Sequence, residues 1–164
     1  MISEPVKHLG EYDLDMDLIS GLNSIYFQYG DVELYKNTNF NEAAKAIAEH
    51  FFPEHTITVL NARVHKMPSK STLQRHTDGI PTDAEFFHVL HLPLKTNPGA
   101  YLAFDSGKHH MKEGNVYEFN YNLPHWGGND GDTDRYHLFM EIYAYEKIIN
   151  ENNNGTLLAQ GDLS

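Results

Sequence analysis

The chain has no cysteine, so disulfides and thiolate ligands are excluded, and any metal it holds must be bound through His, Asp or Glu. Oxygen and nitrogen donors of that kind suit iron or manganese. Basic residues are scarce: 12 Lys and Arg stand against 23 Asp and Glu, for a formal charge of −11. This argues against a nucleic-acid partner, whose phosphates need a basic stripe. No apolar run approaches the roughly 20 residues of a membrane helix, and the N-terminus, with Glu4 and Glu11, lacks the charged-then-apolar pattern of a secretion signal. The expectation is a cytoplasmic protein with no membrane partner. No internal repeat or linker interrupts the 164 residues, a length that suits one domain able to bury its own core.

Histidine is plentiful, with 11 residues. His76 and Asp78 are two apart, so on an extended strand both side chains leave the same face and can reach one ion. His125 follows an apolar, strand-like run much later, as suits a β-fold that brings distant strands together. Two His and one carboxylate on one side of an ion leave the opposite positions open, the arrangement used by non-haem Fe(II) oxygenases. Arg135, ten residues beyond His125, could hold a carboxylate near that ion with its planar fork of donors. Arg63 competes with it for that task.

Along the chain, residues 13–20 read as a short helix stopped by Gly21, followed by a strand near residues 24–29. The stretch Asn39-Phe40-Asn41-Glu42 opens a firmer helix, with Ala44, Ile47, Ala48 and Phe51 on one face and Pro53 ending it. From Thr56 the texture turns to β, with strands predicted at 56–67, 72–77, 86–94, 100–104, 115–121 and 135–145, and turns including 127–132 between them. Short strands with regular turn signals make a sandwich or barrel. One domain over 1–164 is expected: a helical N-terminal support (1–55), a β-core (56–147) and a polar tail (148–164).

At Arg75-His76-Thr77-Asp78-Gly79, Leu90-His91-Leu92-Pro93-Leu94, Glu113-Gly114-Asn115-Val116 and Asn129-Asp130-Gly131-Asp132-Thr133-Asp134-Arg135, the sequence resembles the Fe(II)- and 2-oxoglutarate-dependent dioxygenases of the aspartyl/asparaginyl β-hydroxylase type. That group includes hydroxylases of free amino acids such as proline. The resemblance covers about residues 56–147. It implies a mostly β fold, a double-stranded β-helix (jelly roll, cupin-like) with one or two flanking N-terminal helices. It also implies Fe(II) held by His76, Asp78 and His125, the far carboxylate of 2-oxoglutarate held by Arg135, and O2 as the second co-substrate. His91, on the family's central strand, would lie beside 2-oxoglutarate; a hydrogen-bonded core role is the other reading. His65 could aim at the same far carboxylate.

Two departures bear on the substrate. The β-hydroxylases of protein aspartate carry Gly where this chain has Asp78, so here it looks more like the free amino acid hydroxylases. Val89 stands where the family often has an Arg. The resemblance implies hydroxylation of an unactivated C–H in an amino acid, or in an Asp-, Asn- or Pro-type residue of a peptide or protein. Gln74, Arg75 and Asn122 flank the ligand segments as candidate substrate contacts, and Trp126, the only Trp, either walls the substrate pocket or fills core volume. The competing class is a cupin-type metal-binding isomerase or ligand-binding module, which would have no need of Arg135.

Overall fold

The structure, a computed structural model, describes residues 2–14, 22, 25–150 and 156–159, with side chains described up to residue 147. Along these residues run β1 (Val6–Glu11), β2 (Phe27–Tyr29), β3 (Val32–Tyr35), α1 (Thr38–Phe51), β4 (His55–Met67), β5 (Ser71–His76), β6 (Phe87–Lys95), β7 (Ala100–Phe104), β8 (Gly107–His109), β9 (Asn115–Phe119), β10 (His125–Asn129), β11 (Arg135–Asn150) and β12 (Thr156–Ala159). The larger sheet has the order β1-β9-β6-β11-β4-β3-β2, with β12 added to the far end of β11, and the smaller has the order β5-β10-β7-β8. All strand pairs are antiparallel. This is the mostly β, jelly-roll architecture that the sequence implies. No helix among the described residues is long and apolar enough to cross a membrane.

Strand alternation divides the larger sheet into two chemically different faces. Its outer face carries Ala62 and Val64 of β4, Leu90, Leu92 and Leu94 of β6, and Leu138, Met140 and Ile142 of β11, all buried. Helix α1 covers that face with Phe40, Ala44, Ile47 and Ala48, residues three or four apart that share one stripe. Asn37 caps the helix by accepting from the Asn39 amide at 2.9 Å, so the cap lies two residues before the predicted start. The inner face is offset by one residue and faces the smaller sheet. There Phe87, Val89, Tyr117 and Phe119 pack with Leu102 and Phe104. Beside them the same face carries Arg63, His65, His91, Arg135 and Phe139 into a cavity. The largest apolar cluster therefore lies between helix and sheet, while the space between the sheets is shared by a smaller apolar cluster and the polar cavity.

Three expectations are corrected. Residues 1–55 are not mainly helical: β1, β2 and β3 extend the larger sheet at both edges, and α1 is the one α-helix among the described residues. The short helix expected at 13–20 falls mostly outside them. Residues 127–129, read as turn, belong to β10. A Cβ on Gly128 would collide with the Tyr101 ring and one on Gly127 would press on Met67, so these glycines admit neighbouring side chains over a strand. Of the tail, 156–159 form β12, and its other residues lie largely outside the described set.

Candidate metal centre and co-substrate cavity

His76 closes β5 and His125 opens β10, and the two are cross-strand partners. Their rings are 4.4 Å apart between centroids. Asp78 lies just past the strand end, in the segment that leaves it, and its two oxygens approach both rings: Oδ1 is 3.6 Å from His76 Nε2 and Oδ2 is 3.4 Å from His125 Nε2. One donor atom from each residue lies within 4.8 Å of the others.

The tautomers follow from the backbone. His76 Nδ1 is 2.7 Å from the Gln74 carbonyl and His125 Nδ1 is 2.8 Å from the Leu123 carbonyl. A carbonyl only accepts, so each Nδ1 carries the proton and each Nε2 turns a lone pair inward. In the neutral rings two nitrogen lone pairs and a carboxylate then converge, a donor set that suits a cation, whether a proton or a metal ion. Orientation of a ligating His through its second nitrogen is the usual support of such a site. At His125, burial opposes the imidazolium but hydrogen bonding to Asp78 and to the Leu123 carbonyl outweighs it, and the pKa is raised. Phe104 and Phe119 flank this ring, with Phe119 edge-on at 5.0 Å.

Behind the cluster, a cavity of about 470 Å³ runs inward, lined by His76, Asp78 and His125 at its mouth and by His65, His91 and Arg135 deeper in. Arg135 is 6% exposed. Its Nε has no hydrogen-bond partner, and no carboxylate pairs with it among the described residues. Burial lowers its pKa to about 10, so it stays charged at neutral pH. An unpaired buried cation is strongly unfavourable, and a bound anion would relieve it. Arg63, the competing cation, already faces Glu141 at 3.4 Å.

The loop before Arg135 explains its position. Asn129 is fully buried and donates to the carbonyls of Met67 and Thr133, while Asp134 accepts from the Ser69 amide. These bonds set Arg135 opposite Met67.

Three histidines surround the guanidinium. His65 stacks on Phe139 at 4.5 Å, and its Nε2 is buried without a partner. His91 Nδ1 lies 3.1 Å from His137 Nδ1, so one nitrogen must donate and the other accept. Burial first, and the nearby Arg135 charge, lower His91 to about 3 and hold His137 and His65 well below the usual histidine range. All three are neutral at physiological pH. His91 thus lines the cavity and is also hydrogen-bonded in the core. His137 is absent from the sequence expectations, although its position two residues past Arg135 puts it on the same strand face.

The remaining candidates divide. Trp126 lines the cavity. Arg75 does not: it is exposed and forms a two-pronged pair with Asp105, 2.8 Å at its shorter contact. Gln74 is exposed, and its contribution is the carbonyl that orients His76. Asn122 is half-buried and lies outside the cavity lining, its amide donating to Asn120.

A jelly roll with two His and a carboxylate at its mouth and a buried Arg within defines the class of the 2-oxoglutarate-dependent oxygenases. The chain belongs to the aspartyl/asparaginyl β-hydroxylase family, whose model matches residues 22–144. Solved structures share the fold. The viral collagen prolyl hydroxylase vCPH of Paramecium Bursaria Chlorella virus-1, solved with 2-oxoglutarate, is 13% identical over 88% of this chain and 98% of its own, with a TM-score of 0.59. The non-heme alpha-ketoglutarate-dependent epimerase SnoN from nogalamycin biosynthesis is 13% identical over 79% of this chain and 70% of its own, with a TM-score of 0.57. The non-heme monooxygenase ThoJ, 13% identical with a TM-score of 0.49, is matched over 62% of this chain and 50% of its own, so the chain spans half the length of that protein. No curated protein sequence matches the chain.

Proposed function

We propose that the chain is an Fe(II)- and 2-oxoglutarate-dependent hydroxylase acting on an unactivated C–H of an amino acid or of an amino-acid residue in a peptide or protein. The observation that carries the reading is the pairing of a three-donor cluster with Arg135, a buried cation that has no partner of its own. His76, Asp78 and His125 would hold Fe(II), and Arg135 with His65 would take the far carboxylate of 2-oxoglutarate. The metal and keto acid, when bound, supply the oxidant: 2-oxoglutarate loses CO2 to give succinate, and one oxygen atom of O2 goes to the substrate. The chain's own residues position and exclude. The Gln74 and Leu123 carbonyls fix both Nε2 lone pairs, Asp78 adds the one negative charge, and Phe119 and Phe139 give the cavity an apolar wall beside them.

SnoN carries an epimerase activity on this fold, so the reaction is tested by its product. A screen of amino acids and short peptides for succinate release, with mass spectrometry on each substrate, should find a gain of one oxygen atom. Substrate-dependent succinate without added oxygen would replace hydroxylation by another outcome. Arg135→Ala should raise the KM for 2-oxoglutarate at least tenfold; an isomerase or ligand-binding module would be indifferent to that change.

A further inference from the structure

A second chamber of about 340 Å³ adjoins the first, and Arg63, Asp78, Gly79 and Phe139 line both. Asp78 lines both, so a ligand in the second chamber lies beside the His-Asp-His cluster, and Arg135 lines only the first. Its polar groups are opposite charges set side by side. Arg63 Nη2 and Glu141 Oε1 are 3.4 Å apart, and both side chains are mostly buried, 21% and 24% exposed. The guanidinium lies over the Phe139 ring, 4.9 Å from its centroid, and Asn61 donates to Glu141 at 3.3 Å. Both heads are therefore held in place. They do not satisfy each other: the contact is single and long, and Arg63 Nε is buried without a partner. Tyr121, at the chamber wall, likewise buries a hydroxyl that has none. The rest of the wall is apolar, from Ile80, Pro81, Phe87 and Val89.

From this geometry we infer that Arg63 and Glu141 form a clamp for the zwitterionic head of a free α-amino acid, the guanidinium taking the carboxylate and Glu141 the ammonium. The inference rests on the hydroxylase reading for what then happens to the ligand, but not for its binding. In an α-amino acid the two charges sit on one carbon, so a cation and an anion side by side match them. A forked guanidinium binds a carboxylate in two parallel contacts, which would also occupy Arg63 Nε. A residue inside a peptide has neither charge and would leave the two heads with only their single 3.4 Å contact to each other and Arg63 Nε without a partner, which favours the free amino acid. The apolar wall then takes the side chain, favouring a small apolar one, and the shared Asp78 edge presents its C–H bonds to the metal cluster.

The test is binding to the wild-type protein by calorimetry, with no turnover required. The probes are the proteinogenic L-amino acids, each compared with its N-acetyl and its C-amide form. At least one free amino acid should bind, with both blocked forms at least tenfold weaker, and Arg63→Gln and Glu141→Gln should each weaken it at least tenfold. Thermal unfolding of both variants shows that they fold, and the blocked ligands keep the test decisive if either does not. Equal binding of free and blocked forms, or binding of none of the free amino acids, overturns the clamp. Parallel 2-oxoglutarate titration of the Fe(II)-loaded wild type separates the two claims, because the co-substrate is expected to bind whichever way the clamp is decided.

Discussion

At the scale of single residues, Arg135 is the side chain whose placement is hardest to explain by folding alone. A guanidinium buried beside three neutral histidines, with no carboxylate partner among the described residues, opposes stability in the ligand-free chain. Arg135→Met should therefore raise ligand-free stability, by about 1–3 kcal/mol in urea unfolding, while abolishing stabilisation by 2-oxoglutarate. A drop in stability would show that the cation is paired in the fold after all. The convergence of His76, Asp78 and His125 on a cavity that also holds Arg135 was legible in the sequence because their chemistry is sparse and their spacing distinctive. His137 was not, since a His within an apolar strand carries no signal until the strand's face is known. Arg75 looked like a substrate contact because of its adjacency to His76; it lies where the register of β5 against β10 shifts, between Leu73 and His76, and it turns outward to pair with Asp105 on the exposed side.

At the scale of elements, the outer face of the larger sheet depends on α1. Ile47 is fully buried in the cluster that α1 forms with the sheet, and Ile47→Ala should lower stability by about 2–5 kcal/mol, read by denaturant unfolding. A loss below 1 kcal/mol would mean that the helix does not pack as described. The helix and the strands β4, β5, β6, β7, β9 and β11 were readable because runs of apolar and β-branched residues are bounded there by turn signals. The strands β1 and β10 were not. In β1 the register shifts between His8 and Gly10, where Gly10 adopts φ +146°, so no clean alternation reaches the sequence. In β10 the pair Gly127-Gly128 reads as a turn, yet the Tyr101 ring occupies the space that a side chain at 128 would need. Propensity yielded there to a contact from a neighbouring strand.

At the scale of the whole molecule, the inner face gives stability up to function, and pH shows how much. His65, His91 and His137 have folded pKa values below that of the unfolded chain, with burial the leading cause. The unfolded state binds more protons, so this contribution is complete above about pH 6.5 and falls as the pH drops below it. Each histidine adds up to about 1.4 kcal/mol per pH unit, so unfolding free energy between pH 6.5 and 5 should fall more steeply than one group allows. A flat profile would place these side chains in water. The sequence made the jelly roll and its His-Asp-His cluster legible but not the second chamber, because Arg63 and Glu141 are 78 residues apart and meet only through the pairing of β4 with β11. The most direct test of the central claim is anaerobic titration of the purified chain with Fe(II) and 2-oxoglutarate. One equivalent of iron should bind, with a weak visible charge-transfer band appearing on addition of the keto acid, and His76→Ala should lose both. Absence of the band in the wild type, or its persistence with unchanged 2-oxoglutarate affinity in Arg135→Ala, would contradict it.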